Sequence, residues 1–220
     1  MNSIGVIFDL DGVIVDSADA HFQSWRKLGA ENGVNITHQM FLGTFGRQNK
    51  DIVPIFFGPQ SDEKSHRLAE RKEALYRDAI RSQPPIVPGA RELVRELKGA
   101  GVRLAIGSSA PPENIDLVLT LAGIADCFQA VVSAADVHHG KPDPEVYLLS
   151  CERLGLAPAR CVVIEDAPVG VQAAKAAGAG CIGIAAHHSA AELAHADLVV
   201  ARLSDIHLDM VLELTGVTPA

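Results

Sequence analysis

Two aspartates one residue apart end an apolar run near the start of the chain. Asp9 and Asp11 close the segment IGVIFDLD and precede Gly12. Because alternate side chains of an extended strand share a face, both carboxylates can point into one pocket. Two carboxylates this close repel each other unless one is protonated or a cation lies between them. The pair therefore predicts a site for a hard, oxygen-liganded ion such as Mg²⁺, and the alternative is an ordinary Asp-Gly turn after a core strand.

Three further polar segments follow predicted strands later in the chain. Ser108 follows LAIG, Lys141 lies in GKPDP, and the pair Glu165-Asp166 follows VVI. In an open parallel sheet, chemistry collects at the carboxyl ends of the strands. A nucleophilic carboxylate, a hydroxyl, an ammonium and metal-binding acids together are typical of phosphoryl transfer. Each residue also has an ordinary interpretation: Ser108 as a helix cap, Lys141 as a solvated loop lysine, and Glu165 as a salt-bridge partner.

The elements that must position these residues are predicted from periodicity. The apolar segments IGVIF, VRLAIG, FQAVVS, CVVIED, CIGIA and ADLVV are typical of buried strands, and helical patterns separate all but the last two. This alternation predicts an α/β fold: a Rossmann-like parallel sheet with helices on both faces, formed by residues 1–16 and 83–220. Residues 17–82 have helical periodicity and are predicted to form an inserted α-helical cap domain. Its hinges are expected near Ser17 and Pro84-Pro85.

Composition excludes several classes of function. The chain has 220 residues, of which 48% are hydrophobic, and a formal net charge of -8. Because nucleic-acid binding relies on clustered Lys and Arg, this charge argues against a nucleic-acid partner. The four cysteines have no CxxC spacing, so neither a zinc site nor a disulfide framework is indicated. No apolar stretch approaches the roughly 20 residues of a membrane helix, and we expect a soluble, cytoplasmic protein that acts without a membrane partner.

With these motifs in order, the chain resembles the haloacid dehalogenase superfamily of phosphotransferases, in the branch of β-phosphoglucomutase and small sugar- and polyol-phosphate phosphatases. The matching motifs are DLDGVIVDS, the serine closing LAIGS, the lysine of GKPDP, and the acidic pair in VIEDAPVGVQAAKAAG. The resemblance implies that Asp9 is the nucleophile that becomes an aspartyl phosphate, and that Asp11 is the general acid and base. It also implies that Ser108 and Lys141 hold the transferring phosphoryl group.

The same resemblance implies a metal site. Mg²⁺ would be held by Asp166, the Asp9 carboxylate and the Asp11 backbone carbonyl, with Glu165 acting through a bound water. The three acids Asp9, Glu165 and Asp166 would face a phosphate dianion, so we expect the metal to be obligatory. We also expect the crowded negative charge to raise the pKa of Asp11, which must hold a proton near neutrality.

Four cap residues are candidates for substrate contacts. His21 and Trp25 lie one helical turn apart near the hinge, and the mutase branch has a similar His-and-Trp pair. His21 is expected either to contact the substrate or Asp11, or to be a surface histidine beside a Trp25 of the cap core. Arg47 and Lys72 are cap cations suited to an anionic substrate, and exposed helix or loop cations are the alternative.

Departures from the mutase pattern favour one reaction. In the mutases, a cap arginine and a Ser-Lys-Asn run grip the second phosphate, whereas this chain offers Asn49 and Ala110-Pro111-Pro112. We therefore predict hydrolysis of a small phosphorylated metabolite, a sugar or polyol phosphate monoester. A chain of this size is expected to act as a monomer. A β-phosphoglucomutase-type mutase is the first alternative. A receiver-like phosphorylatable switch is the second, although receiver domains are shorter and have no cap.

Overall fold

The computed structural model describes residues 3–44 and 47–217, so the outermost residues of the predicted core and residues 45–46 of the predicted cap lie outside it. The strands within the described residues are β1 (Gly5–Phe8), β2 (Arg103–Gly107), β3 (Ala130–Val132), β4 (Cys161–Glu165), β5 (Gly180–Ile184) and β6 (Leu198–Val200). The helices there are α1 (Ala18–Glu31), α2 (His38–Leu42), α3 (Asn49–Phe57), α4 (Asp62–Ile80), α5 (Ala90–Gly99), α6 (Pro112–Ala122), α7 (Glu145–Leu154), α8 (Pro168–Ala176) and α9 (Leu208–Leu214).

The strands form one parallel sheet in the order β3-β2-β1-β4-β5-β6. Each predicted apolar segment contributes a strand, which confirms the predicted fold class. Phe8 at the end of β1 lies level with Ile106 of β2 and Ile164 of β4. The residues that follow these three positions therefore emerge side by side at the carboxyl edge. The strand order reverses between β1 and β4, and a crevice at such a point is where open sheets bind ligands.

Helices cover both faces of the sheet, because the strands alternate their apolar side chains between two cores. Val6 and Phe8 of β1 pack in a cluster with apolar residues of α5, α6 and α9. Ile7 points the other way and packs with residues of α7 and α8. A strand that is buried on both faces must be apolar along its whole length, and GVIF of β1 is.

Helices α1 to α4 pack around a separate apolar cluster that includes Trp25, which is 1% exposed. The sequence predicted a helical segment here, and its described residues form α1, α2, α3 and α4. The two connections to the core run side by side: Val15 bridges Ile86, and the Asp16 N–H donates to the Pro85 carbonyl over 2.8 Å. These contacts lie at the predicted hinges, and we keep residues 17–82 as the predicted cap limits.

None of the helices in the described ranges combines the length and the apolar character required to cross a membrane.

Candidate active site

Three buried carboxylates meet at the carboxyl edge between β1 and β4. Asp9 directly follows β1, Glu165 ends β4, and Asp166 comes next. One carboxylate oxygen from each lies within 4.8 Å of the other two. The register of β1 against β4 brings them together, because Phe8 is level with Ile164. The acidic pair and the first aspartate of the sequence therefore share one cavity, as the spacing predicted.

Lys141 lies among these acids. Its Nζ donates to Asp9 Oδ1 and to Glu165 Oε1, each over 2.7 Å, and the residue is 8% exposed. Burial acts to lower the pKa of Lys141, but the two carboxylates outweigh burial and raise this pKa above its ordinary value. The interpretation of Lys141 as a solvated loop lysine is therefore wrong.

Glu165 is fully engaged by protein donors. Its Oε1 accepts from Lys141 and from the Tyr147 hydroxyl, and its Oε2 accepts from the backbone N–H groups of Asp166 and Ala167, at 2.7 to 2.9 Å. Four donors match the acceptor capacity of an ionised carboxylate. Glu165 is thus a salt-bridge partner, which was the ordinary interpretation of this residue. Its ion pair with Lys141 holds the lysine beside Asp9, the candidate nucleophile. Tyr147 was missed, since its spacing on the apolar face of α7 indicates only a core residue.

Asp166 is the acid that suits a cation. Its Oδ2 is buried and has no hydrogen-bond partner within the described residues. Burial raises the pKa of Asp166 well above its usual range and that of Asp9 to about 7, and neighbouring carboxylates add to both shifts. Gly12, at φ 83°, lies so close that a Cβ there would overlap Asp166 Oδ2. An unpaired carboxylate oxygen in an all-oxygen donor set fits a hard divalent ion such as Mg²⁺.

Asp11 contacts the cap. Its Oδ1 lies 3.1 Å from His21 Nε2 on α1, so the surface interpretation of this histidine is wrong and the contact with Asp11 is present. We expected a raised pKa for Asp11, and this expectation was wrong. Burial does act to raise the pKa, but the charge and hydrogen bond of His21, the hydrogen bond of Ser17 and the charge of Lys72 together outweigh burial and lower it.

A chain of polar contacts continues from His21 into the cap. Its Nδ1 lies 2.7 Å from Lys72 Nζ, and its ring stacks on Tyr76 with centroids 4.0 Å apart. Lys72 Nζ also donates to Glu73 Oε1 over 2.8 Å and lies 5.4 Å from the Trp25 ring centroid. Lys72 is therefore a buried residue of the site, whereas Trp25 belongs to the cap core and also lines the pocket.

Glu73 connects the cap to the core. Its Oε1 also accepts from Asn49 over 2.7 Å, and its Oε2 accepts from Asn114 of α6 over 2.5 Å. Neither Glu73 nor Asn114 was predicted as a site residue, because a glutamate in a highly charged helix and an asparagine near a helix start are usually solvated. The spacing of Leu68, Lys72 and Tyr76 carried a signal, since it places Lys72 on the buried face of α4.

The remaining predicted residues lie around the same pocket. Ser108 is 1% exposed and lines the pocket, and its Oγ accepts from the Ala110 N–H over 3.1 Å. It does not cap α6, which begins at Pro112 after Pro111. Arg47 lines the pocket as an exposed residue. Among the described residues, the acids lining this pocket are Asp9, Asp11, Glu73, Glu165 and Asp166, and the lysines and arginine are Arg47, Lys72 and Lys141.

Comparison with known proteins matches this arrangement to a family. Residues 5–178 match the model of the haloacid dehalogenase-like hydrolases. The chain belongs to this family. The matched range contains every predicted site residue, and it spans β1 to β4 and the cap helices.

Individual relatives of this haloacid dehalogenase-like hydrolase include both phosphatases and mutases. The chain is 33% identical to the validoxylamine A 7'-phosphate phosphatase of Streptomyces hygroscopicus subsp. limoneus, covering 91% of this chain and 94% of the relative. It is 32% identical to the β-phosphoglucomutase of Bacillus subtilis, covering 94% and 93%. The solved structure of a β-phosphoglucomutase from Clostridium difficile superimposes with a TM-score of 0.86 at 30% identity, covering 97% of each chain.

Proposed function

We propose that this haloacid dehalogenase-like hydrolase is a Mg²⁺-dependent phosphatase that cleaves a small sugar or polyol phosphate monoester through an aspartyl-phosphate intermediate. The observation that carries the proposal is the environment of Asp9. This carboxylate lies at a strand end, buried, hydrogen-bonded by Lys141 and adjacent to Asp166. A carboxylate so placed can act as a nucleophile, and the ammonium of Lys141 offsets charge on the transferring phosphoryl group.

In the first step, an Asp9 oxygen attacks phosphorus and the bond from phosphorus to the ester oxygen breaks. Asp11 protonates the departing alcohol. The incoming phosphate dianion favours the protonated form of Asp11, because negative charge nearby raises a carboxyl pKa. In the second step, ionised Asp11 takes a proton from water as that water attacks phosphorus, which releases inorganic phosphate and regenerates Asp9. His21 orients Asp11 through the contact between Nε2 and Oδ1.

The residues that would hold Mg²⁺ are Asp9, Asp166 and the backbone carbonyl of Asp11, with Glu165 nearby. The unpaired Oδ2 of Asp166 supports this assignment. The ion would supply charge neutralisation for a phosphate that enters a site already rich in carboxylates. Ser108 and Lys141 are the proposed phosphate-binding residues, and both line the pocket.

A phosphosugar mutase is the second candidate, because the relatives described above include β-phosphoglucomutases. A mutase must grip a second phosphate. At the positions of that grip, this chain has Asn49, whose amide donates to Glu73, and the uncharged residues Ala110 and Pro111. These groups favour hydrolysis. The cap contact between His21 and Asp11 also disfavours a receiver-like switch, which has no cap.

The first prediction tests the reaction. Wild-type protein with Mg²⁺ should release inorganic phosphate from members of a panel of sugar phosphates, polyol phosphates, phosphoglycolate and nucleotides. Asp9→Asn should reduce release to the blank, because the amide is a poor nucleophile. Isomerisation of glucose 1-phosphate with a bisphosphate primer, measured in parallel, distinguishes the mutase. An active Asp9→Asn protein, or isomerisation faster than phosphate release on every substrate, would contradict the proposal.

A further inference from the structure

Glu73 is a buried carboxylate that lines the active-site pocket but has no part in the phosphoryl chemistry derived above. It is 5% exposed and lies in α4 of the cap. Its connection to Asp11 runs through Lys72 and His21. The transferring phosphoryl group must lie beside Asp9. Because Glu73 lies in the cap, it is the leaving group of the substrate that can contact Glu73.

The hydrogen bonds of Glu73 leave capacity for one more donor. An ionised carboxylate has about four acceptor positions. Oε1 accepts from Lys72 and Asn49, and Oε2 accepts from Asn114; these are its side-chain donors within the described ranges. One position at Oε2 thus remains for a group entering the pocket. A hydroxyl of a sugar or polyol can donate to it, whereas a phosphate dianion has no proton to donate.

The charge around Glu73 also disfavours a second phosphate. Burial acts to raise the pKa of Glu73, but Lys72, His21 and Asn49 outweigh it and lower this pKa to about 2, so the group is ionised at neutral pH. The nearby ammonium of Lys72 is committed to Glu73 and His21. Within the described part of the chain, five carboxylates and three lysine or arginine side chains line the pocket. With the five acids ionised, a divalent ion and a charged His21 bring the sum of these groups to only one positive charge, which cannot offset two phosphates.

We propose that Glu73 is a specificity-determining residue, which accepts a hydroxyl of an uncharged polyhydroxy leaving group and excludes substrates that carry a second phosphate. This inference rests on the proposed phosphatase function and specifies the class of leaving group. It also gives a physical reason for hydrolysis, since the bisphosphate that a mutase requires would be repelled from the same pocket.

The test compares monophosphates with bisphosphates of the same sugar. Phosphate release is measured with fructose 1-phosphate, fructose 1,6-bisphosphate, glucose 1-phosphate and glucose 1,6-bisphosphate, and the ratio of kcat/KM for bisphosphate to monophosphate is taken. For wild-type protein this ratio should be below about 0.1, because like charges brought together in a binding site are strongly unfavourable. Glu73→Gln should raise the ratio at least roughly tenfold by the same reasoning.

Glu70→Gln is the matched control. Glu70 lies one turn earlier on α4, is exposed, and pairs with His66, so this variant removes the same charge outside the pocket. Its ratio should equal that of wild type. An equal ratio in Glu73→Gln and Glu70→Gln would overturn the inference.

Thermal melting shows whether Glu73→Gln folds, and the wild-type measurement can overturn the inference even if it does not. A wild-type ratio of one or more overturns the inference without any variant. The two proposals fail differently. Absence of phosphate release from every substrate tested would contradict the phosphatase function, whereas release with an unchanged ratio in Glu73→Gln contradicts only the role of Glu73.

Discussion

The neighbouring carboxylates of the pocket differ in their hydrogen-bond partners. Asp9 is held by the ammonium of Lys141, Glu165 is saturated by four donors, and Asp166 keeps an unpaired oxygen. Among these four acids, Asp11 alone contacts His21 within the described residues. These different surroundings are the basis for the different roles proposed for the carboxylates: nucleophile, anchor, metal ligand and proton carrier.

At the residue scale, we predict that Asp11→Asn lowers kcat by roughly 10²- to 10⁴-fold, the usual contribution of a general acid or base. The amide cannot carry the proton, but it keeps the size of the side chain and leaves the backbone carbonyl in place. Steady-state phosphate release gives kcat. A Mg²⁺ titration followed by thermal melting should show near wild-type metal binding, and a variant that loses metal binding together with activity would point to a structural role instead.

At the scale of elements, the register of β1 against β4 and the packing of α8 bring the acids together. Gly170, in the first turn of α8, allows this helix to lie against Glu165. A Cβ at Gly170 would overlap the Glu165 carboxylate. The close approach keeps Glu165 Oε1 on Lys141 and Tyr147, so the helix indirectly positions the lysine that binds Asp9.

We therefore predict that Gly170→Ala lowers both activity and stability. The added methyl must displace the Glu165 carboxylate, and overpacking of this kind costs about 1–3 kcal/mol of unfolding free energy. Phosphate release and urea unfolding measure the two effects. Gly99→Ala is the control: Gly99 also lies in a helix, and a Cβ there meets no atom within 4 Å. A Gly170→Ala protein with the activity and stability of the Gly99→Ala control would contradict the role of this contact.

The sequence was sufficient to predict the strands, because apolar runs such as GVIF of β1 can form only buried elements between turn residues. It also predicted that Asp9 and Asp166 share a cavity, since both follow strands of one parallel sheet. It could not predict contacts between the cap and the core. His21 was left between two interpretations, and Glu73 was missed, because their partners depend on how α1 and α4 pack over the sheet.

Position along a helix gives weaker information than position at a strand end. Tyr147 and Asn114 both lie on helices with ordinary amphipathic patterns, where apolar packing and solvent exposure are the default expectations. Their hydrogen bonds to Glu165 and Glu73 become visible only in three dimensions. The lowered pKa of Asp11 is of the same kind, because the histidine that causes it comes from the cap.

At the scale of the whole molecule, the carboxylates of the active site destabilise the folded protein when no cation offsets their charge. Burial and mutual repulsion raise the pKa of Asp9 to about 7 and that of Asp166 well above its usual range. Folding brings these groups together without a neutralising partner for Asp166 Oδ2 in the described residues. A bound divalent ion should therefore stabilise the folded protein as well as support turnover.

We predict that Mg²⁺ at a hundredfold excess over its Kd raises the Tm by roughly 5–10 °C relative to protein in EDTA, the shift expected from mass action for a chain of this size. Differential scanning calorimetry measures this shift. Asp166→Asn should reduce it to a small fraction, since the variant loses the ligand with the unpaired oxygen. Equal shifts in the two proteins would exclude Asp166 as a metal ligand.

The paired connections between cap and core have a further consequence. Val15 and Ile86 meet at the point where the chain leaves the core and returns to it, so the whole insertion begins and ends at neighbouring backbone positions. A segment attached in this way can be exchanged for another of different length without threading new chain through the sheet. The cap of a related hydrolase, transplanted at this junction, would bring its own counterpart of Glu73 to an unchanged set of core carboxylates, and substrate preference would follow the graft.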